Sequence, residues 1–128
     1  MKPLGPIASY QDDGYDPSQV FYVDLTDRLG TSETISDVTV TTSVTGITIT
    51  EEAATTSEIT KDDGDTIAVG QGVTFRITVT SIMSRHVPVV VSYETDSSNA
   101  DTVEVKVQIV DKPNLHRETF PYSEFPKV

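Results

Sequence analysis

The sequence contains no cysteine and no tryptophan, and aromatic residues make up only 7% of its 128 positions. Without cysteine, neither a disulfide framework nor a thiolate metal site can form. Basic residues are also few: nine Lys and Arg stand against 20 Asp and Glu, which gives a formal net charge of −11. Phosphate contacts need clustered Lys and Arg. The charge therefore argues against nucleic acid and against an anionic membrane surface as partners, and it favours solubility of a strand-rich chain.

Long apolar runs are missing as well. The N-terminal residues Met1–Pro6 are not followed by the apolar stretch of a secretory signal peptide. No segment approaches the about 20 apolar residues of a membrane-spanning helix. For a complete reading frame, this predicts a protein that is made in the cytoplasm and stays there, or that leaves it within an assembly.

The clearest pattern that is present lies in Val73–Thr80, where four apolar residues alternate with four polar ones. Because side chains on a β-strand point to opposite faces with a period of two, this segment is predicted to be a strand with one buried face. Val103–Ile109 repeats the pattern. The residues predicted to be buried are Val73, Phe75, Ile77, Val79, Val103, Val105, Val107 and Ile109, and those predicted to be exposed or at an interface are Arg76, Glu104, Lys106 and Gln108.

Further strands are predicted on both sides of these two, separated by turn residues every eight to twelve positions. Their ranges are Gln19–Leu25, Ile35–Ser43, Ile47–Thr50, Ser57–Thr60 and Val87–Tyr93. A helical turn is expected after the first of these strands, and Glu51–Thr56 is interpreted as a linker. Pro88 should lie at a strand start or on an unpaired edge, because proline cannot donate to a ladder. The pattern favours an all-β, immunoglobulin-like antiparallel β-sandwich of about seven or eight strands over residues 19–111, with an eight-stranded jelly roll as the alternative.

Two extended arms are predicted to flank the sandwich, over residues 1–18 and 112–128. Both contain Pro and scattered apolar residues without a strand or helix period. Exposed aromatic and aliphatic residues in an acidic protein suggest contact with a neighbour. The alternative is that the arms fold back over open sheet edges of their own domain. The predicted partner-binding residues are Ile7, Tyr10, Tyr15, Phe120, Tyr122 and Phe125.

No pattern predicts catalysis, a cofactor or a metal. His86 and His116 have no Ser, Cys or carboxylate partner in a recognisable motif. The acidic stretches Asp12–Gly14 and Asp62–Asp65 lack the alternate ligands and closing Glu of an EF-hand loop, so turn chemistry is preferred over calcium binding. Three carboxylates lie around the first connection, namely Asp24, Asp27 and Glu33. Two of them could form the carboxylate pair of a glycosidase, but we prefer the interpretation that they cap backbone amides.

The block from Asp16 to Leu29, with its DP-x-x-V start, Asp-containing strand and later Thr34-Ile35 pair, resembles the opening of small tailed-phage virion proteins. Ile67–Phe75 resembles the entry into a core strand of bacterial and phage Ig-like modules. One departure is that the phage pattern usually has a Trp in its second strand, where Val38 and Val40 stand here. The middle, Glu51–Asp65, is also longer than that pattern.

The resemblance implies a non-enzymatic virion protein and transfers no catalytic or binding residue. The expected role is a capsid decoration (cement) protein that binds the major capsid protein and copies of itself, and the expected location is the virion. A neck or tail accessory protein is the nearest alternative. A cell-surface adhesion or carbohydrate-binding module is a further one, against which the missing export signal and missing Trp stand.

Overall fold

The computed structural model describes residues 2–8, 17–81 and 83–110, which form an all-β structure with one short 3₁₀ turn. The strands are β1 (Lys2–Pro3), β2 (Ile7–Ala8), β3 (Ser18–Asp24), β4 (Ile35–Thr41), β5 (Ile47–Ala54), β6 (Ile59–Thr60), β7 (Thr66–Ile67), β8 (Gly72–Val79), β9 (Arg85–Thr95) and β10 (Ala100–Val110). The 3₁₀ turn spans Thr26–Arg28, where the sequence predicted a helical turn.

Two four-stranded sheets form the two layers of the sandwich. The first sheet has the order β1-β3-β8-β5, and the second has the order β2-β10-β9-β4. The long strands pair antiparallel, whereas the two-residue strands β1 and β2 pair in parallel with β3 and β10. The predicted all-β sandwich is confirmed.

The core lies between the sheets, and β8 is the central contributor from the first sheet. Its four predicted apolar residues are all buried, since none is more than 4% exposed. Phe75 pairs with Phe21 of β3 and contributes to the same hydrophobic cluster as Val89 and Val91 of β9. Because apolar and polar residues alternate along the strands of both sheets, each sheet has one apolar face. The two apolar faces pack against each other, as expected for packed antiparallel sheets.

In β10 the burial prediction holds for only one half of the strand. Val107 and Ile109 are each 1% exposed, whereas Val103 and Val105 are only partly buried at the margin of the core. The prediction of full burial for Val103 and Val105 is therefore wrong. Val103 and Val105 lie nearer the β9–β10 turn, whereas Val107 is buried even though β2 pairs only with Ile109 and Val110.

Strand β5 is longer than predicted because it contains a bulge. Its register against β8 shifts between Thr50 and Ala53, and Glu51 has a positive φ of 61°. A bulge inserts one extra residue and bends the strand without ending it. The interpretation of Glu51–Thr56 as a linker is consequently wrong, since pairing resumes at Ala53 and Ala54.

Pro88 is the fourth residue of β9, which lies between β10 and β4 in the second sheet. It pairs with Lys106 of β10, but the pairing of β9 with β4 begins only at Val90. Pro88 therefore precedes the part of β9 that is paired on both sides. Its missing N–H costs the ladder little there, which agrees with the prediction from sequence.

The hairpin of β6 and β7 forms a small sheet of its own around the predicted Lys61–Asp65 turn. Ile67 is 0% exposed but is not a member of the main core cluster. It packs against Gly72, where a Cβ atom would come within 2.9 Å of Ile67 Cγ2. Glycine at position 72 therefore permits the close approach of the hairpin to β8.

The N-terminal residues correct the prediction of an arm without a fold of its own. Lys2–Pro3 pair with Phe21–Tyr22 in the first sheet, and Ile7–Ala8 pair with Ile109–Val110 in the second. Ile7 is only 2% exposed and belongs to the core cluster, so it is not an exposed contact residue. The chain between these strands crosses from one layer to the other and places Leu4 against the core.

The dominance of β8 in the core can be tested with Phe75→Ala. Phe75 is fully buried, so we expect a loss of about 3–5 kcal/mol in the free energy of unfolding, the range for truncating a buried aromatic residue. The matched control is Val69→Ala, because Val69 is 53% exposed and surface changes usually stay within about 0.5 kcal/mol. Chemical denaturation measures both, and equal losses would contradict the core assignment.

Candidate functional site

Four connections meet at one end of the sandwich and are joined by backbone hydrogen bonds: β3–β4, β5–β6, β7–β8 and β9–β10. Ile35 N donates to Gly70 O at 2.8 Å, and Gly70 N donates to Thr55 O at 2.9 Å. Asp96 N donates to Thr34 O at 2.9 Å. Gly70 has a φ of 79°, and a Cβ there would lie 2.9 Å from the Thr34 side chain. At this end of the sandwich, backbone hydrogen bonds therefore join the connections of one sheet to those of the other.

The carboxylate of Glu33 is the centre of this end, and the residue is only 9% exposed. Its Oε1 accepts from Gly30 N at 2.8 Å, and its Oε2 accepts from Thr95 Oγ1 at 2.6 Å and from Asn99 Nδ2 at 2.8 Å. Thr95 Oγ1 in turn accepts from the backbone N–H groups of Ser97 and Asn99. Glu33 thus ties the β3–β4 connection to the β9–β10 hairpin, in the capping role that the sequence favoured.

These hydrogen bonds also set the protonation of Glu33. The backbone N–H of Gly30 and then the Thr95 and Asn99 side chains hold the pKa of Glu33 below its ordinary value of 4.5. Donors aimed at a carboxylate favour its charged form. The carboxylate therefore acts here as a fixed acceptor, and both of its oxygens are occupied by protein donors.

Asp24 and Lys61 form a second polar cluster, beside the β6–β7 hairpin. Lys61 Nζ lies 2.9 Å from Asp24 Oδ2, and Asp24 Oδ1 accepts from both N and Oγ1 of Thr26. Burial raises the pKa of Asp24, but the Thr26 and Lys61 hydrogen bonds outweigh it and leave the pKa below 3.8. Asp27 and Asp65 line the same open depression of about 390 Å³. The ammonium of Lys61 supplies the counter-charge that these carboxylates need.

The outer face of the second sheet has a shallow depression of about 450 Å³ near the β9–β10 turn. A row of hydroxyls crosses it, because Thr39 pairs with Ser92 and Ser92 with Thr102. The Ser92 and Thr102 hydroxyls lie 3.3 Å apart. Asp37 and Glu94 add carboxylates at one end of the row. The surface is polar and open, and its carboxylates are on the strands rather than facing each other across a cleft.

The first half of β10 is one of the sheet edges that have no neighbouring strand among the described residues. Ala100–Lys106 pair with β9 on one side, and among the described residues no strand pairs with them on the other. Val103 and Val105 of this segment face the core and are only half-buried. An edge strand presents unpaired backbone donors and acceptors to another chain. We name Ala100–Lys106 the open edge of β10.

The residues singled out from sequence are dispersed. Asp24 and Asp27 line one depression, Glu33 lies in a different network, and His86 is exposed at the start of β9. Of the predicted contact residues, Ile7 is in the core. The others lie outside the described residues, namely Tyr10, Tyr15, Phe120, Tyr122 and Phe125. The open edge of β10 was not predicted, since an alternating strand pattern does not reveal how many neighbours a strand has.

Within residues 2–8, 17–81 and 83–110, no three His, Cys, Asp or Glu side chains are grouped so that they could hold a metal ion. In the same part of the chain, no helix has the length and apolar character needed to cross a membrane. Comparisons with protein-family models, with curated proteins and with solved structures found no match to this chain.

Glu33→Gln tests the role of the buried carboxylate. Because the pKa of Glu33 is lowered in the folded state, its charged form stabilises the fold above the ordinary carboxyl pKa. That stabilisation is lost as the pH falls through the lowered folded-state pKa. We expect the variant to be less stable than the wild type at pH 7 and the gap to narrow on acidification, measured as the free energy of unfolding from pH 7 to pH 2.

Asp37→Asn is the matched control for that series, because Asp37 is exposed on β4. It should leave the pH dependence of the wild type unchanged. A Glu33→Gln variant with the same pH profile as the wild type would show that Glu33 does not contribute to acid sensitivity.

Metal removal tests the interpretation of the acidic turn. Lys61 already provides a positive charge 2.9 Å from Asp24, so we expect EDTA to leave the Tm unchanged and added calcium to leave it unchanged as well. A ligand that binds only the folded state must raise its stability, so thermal unfolding is a sensitive measurement. A fall of several degrees on adding EDTA, restored by calcium, would contradict the reading of Lys61–Asp65 as a plain turn.

Proposed function

We propose that this chain is a non-enzymatic structural component of a tailed-phage particle, acting as a capsid decoration (cement) protein that binds the shell of the major capsid protein. The proposal starts from the resemblance of the block beginning at Asp16 to small tailed-phage virion proteins and of Ile67–Phe75 to bacterial and phage Ig-like modules. Fold alone does not determine function. Further support must therefore come from the strand connectivity, the core and the charge distribution of this chain.

The strand connectivity supports an Ig-like type of sandwich over a jelly roll. In the first sheet, β3, β8 and β5 occupy the places of strands B, E and D of an Ig domain. In the second sheet, β10, β9 and β4 occupy those of G, F and C. The departure is at the N-terminus, where β1 runs parallel to β3 instead of antiparallel. Ig-like sandwiches are common as binding modules, with loops and edges as their contact surfaces.

The observation that carries the proposal is that the described residues from Ile7 to Ile109 already supply a continuous hydrophobic core between the two sheets. The chain then continues for 18 positions beyond Val110, with Phe120, Tyr122 and Phe125 among them. Aromatic side chains are the preferred anchors at the centres of protein interfaces. A terminal segment that is rich in such anchors fits attachment to a neighbouring virion protein.

The charge distribution fits the same role. The 18 residues after Val110 contain three Lys and Arg and three Asp and Glu, so the net charge of −11 belongs entirely to residues 1–110. Like charges in an interface cost binding energy. The neutral segment can therefore approach an acidic partner, including another copy of this chain. The acidic surface of the sandwich would instead repel such a partner.

Removing Asn114–Val128 tests the proposal. We expect the free energy of unfolding to stay within experimental error of the wild type, because the deletion keeps every core residue of the part of the chain that the structure describes. We also expect a sharp loss of retention on phage particles, measured by the amount of protein that co-purifies with particles in a density gradient. Retention on neck or tail complexes without retention on shells would replace the cement role by the neck or tail one.

A full-length variant with Phe120, Tyr122 and Phe125 all changed to Ala separates the anchors from the length of the segment. It should lose retention as the deletion does, whereas Ser123→Ala should not. A truncated chain that unfolds several kcal/mol more easily and still binds particles normally would contradict the proposal, because the segment would then belong to the fold of its own domain.

A further inference from the structure

We propose that the N-terminal segment Lys2–Ala8 is an exchangeable strap, which binds either to its own sandwich or, at the same place, to the sandwich of a second copy of this chain. We call this segment the strap. Its seat is formed by Phe21–Tyr22 of β3 and Ile109–Val110 of β10. The inference does not depend on the proposed virion role, because it concerns a binding site whose occupant is seen in the structure.

The strap is held on its seat by two ladder pairings and two aliphatic side chains. One pairing of two residues lies in the first sheet and the other lies in the second. Between them the chain crosses from one layer to the other, Leu4 packs against the core, and Ile7 enters the core with only 2% exposure. Addition of a segment to a sheet edge is a recurring mode of peptide binding, in which backbone hydrogen bonds give affinity and side-chain pockets give specificity. The seat therefore selects an extended segment with aliphatic residues three positions apart.

The strap is a minor part of the fold that it completes. Of the fifteen described residues in the main core cluster, only Ile7 precedes β3. Without the strap, each main sheet keeps three antiparallel strands, β3-β8-β5 in the first and β10-β9-β4 in the second. Segments with few ladder hydrogen bonds and few buried contacts open at a lower free energy than core strands do. The strap can therefore leave its seat while the sandwich stays folded.

The strap also differs in charge from the rest of the chain. Residues 1–8 contain Lys2 and no Asp or Glu, so the other 120 residues carry a formal charge of −12. Complementary charges promote encounter, whereas like charges oppose it. A released strap is thus attracted to the acidic sandwich of a second copy, and each copy offers a seat that fits this sequence. Exchange of an identical element between copies is a low-cost route to dimers, because the contacts of the element are kept.

Two single-cysteine variants report the exchange, since the chain has no cysteine of its own. Ala8 and Val110 are partners across the β2–β10 pairing. Neighbouring strands lie about 4.8 Å apart, which a disulfide can span. One full-length copy carries Ala8→Cys, and a second copy, distinguished by a size tag, carries Val110→Cys. Because neither copy has both cysteines, a disulfide between these positions requires the strap of one copy on the seat of the other. Under mild oxidation, we expect a linked product of the two sizes whose fraction rises with protein concentration.

The matched control replaces the second copy by one with Thr48→Cys, at an exposed position of β5. Linkage to this copy measures random collision between exposed thiols. We expect far less linked product with Thr48→Cys than with Val110→Cys. Equal amounts at every concentration, or no linkage in either mixture, would overturn the proposal and show that the strap binds only to its own sandwich.

Ile7→Asp, placed in one copy at a time, gives a second readout. In the Ala8→Cys copy it puts a charge on the strap and should abolish the linked product. In the Val110→Cys copy it weakens binding of that copy's own strap, frees the seat and should increase the product. The same effect in both places would contradict the exchange. The comparison with Thr48→Cys uses chains that keep Ile7, so it decides the question even where Ile7→Asp does not fold. Because purified protein without particles is used, a negative result here leaves the particle-retention test of the proposed function separate.

Discussion

Burial of the alternating apolar face of β8 is the constraint on which the remaining structure depends. Val73, Phe75, Ile77 and Val79 can leave water only if a second layer covers them, and each buried side chain of this size contributes about 1.5–3 kcal/mol. The covering layer comes from β9, whose Val87, Val89 and Val91 alternate in the same way. A shift of one residue in either strand would turn its apolar face outward. Burial of the two faces therefore constrains the registers of β3 and β5 against β8 and of β4 and β10 against β9.

The elements with a strong period of two could be predicted from sequence, whereas features that depend on distant neighbours could not. Val73–Thr80 and Val87–Tyr93 alternate clearly, and the structure has strands at both places. Ile7 has no such pattern around it, and its burial comes from two residues of parallel pairing with β10. The sequence of Glu51–Thr56 suggests a linker because its residues are polar or small, whereas a bulge with Glu51 at positive φ lets the strand continue to Ala54.

The polar end of the sandwich shows, for the single residue Glu33, the same limit of prediction from sequence. Glu33 stands among turn residues, and its sequence context suggests no more than a local cap on Gly30 N. Its other oxygen is held by Thr95 and Asn99, which lie more than 60 positions away along the chain. A buried carboxylate is costly unless its acceptor sites are filled, and here the filling donors come from a second hairpin. The tertiary fold therefore gives Glu33 its role.

The two ends of β10 connect this architecture with assembly. An edge strand in a soluble protein is normally shortened, charged or covered, because open backbone groups invite pairing with other chains. The N-terminal residues cover β10 at Ile109–Val110, and no other strand of the described residues pairs with this side of β10. Glu104 and Lys106 place charges on the outer face of that open part, but its inner face carries Val103 and Val105. Charges on the outer face oppose the stacking of a second sheet there, but they do not occupy the backbone donors and acceptors at the side of the strand.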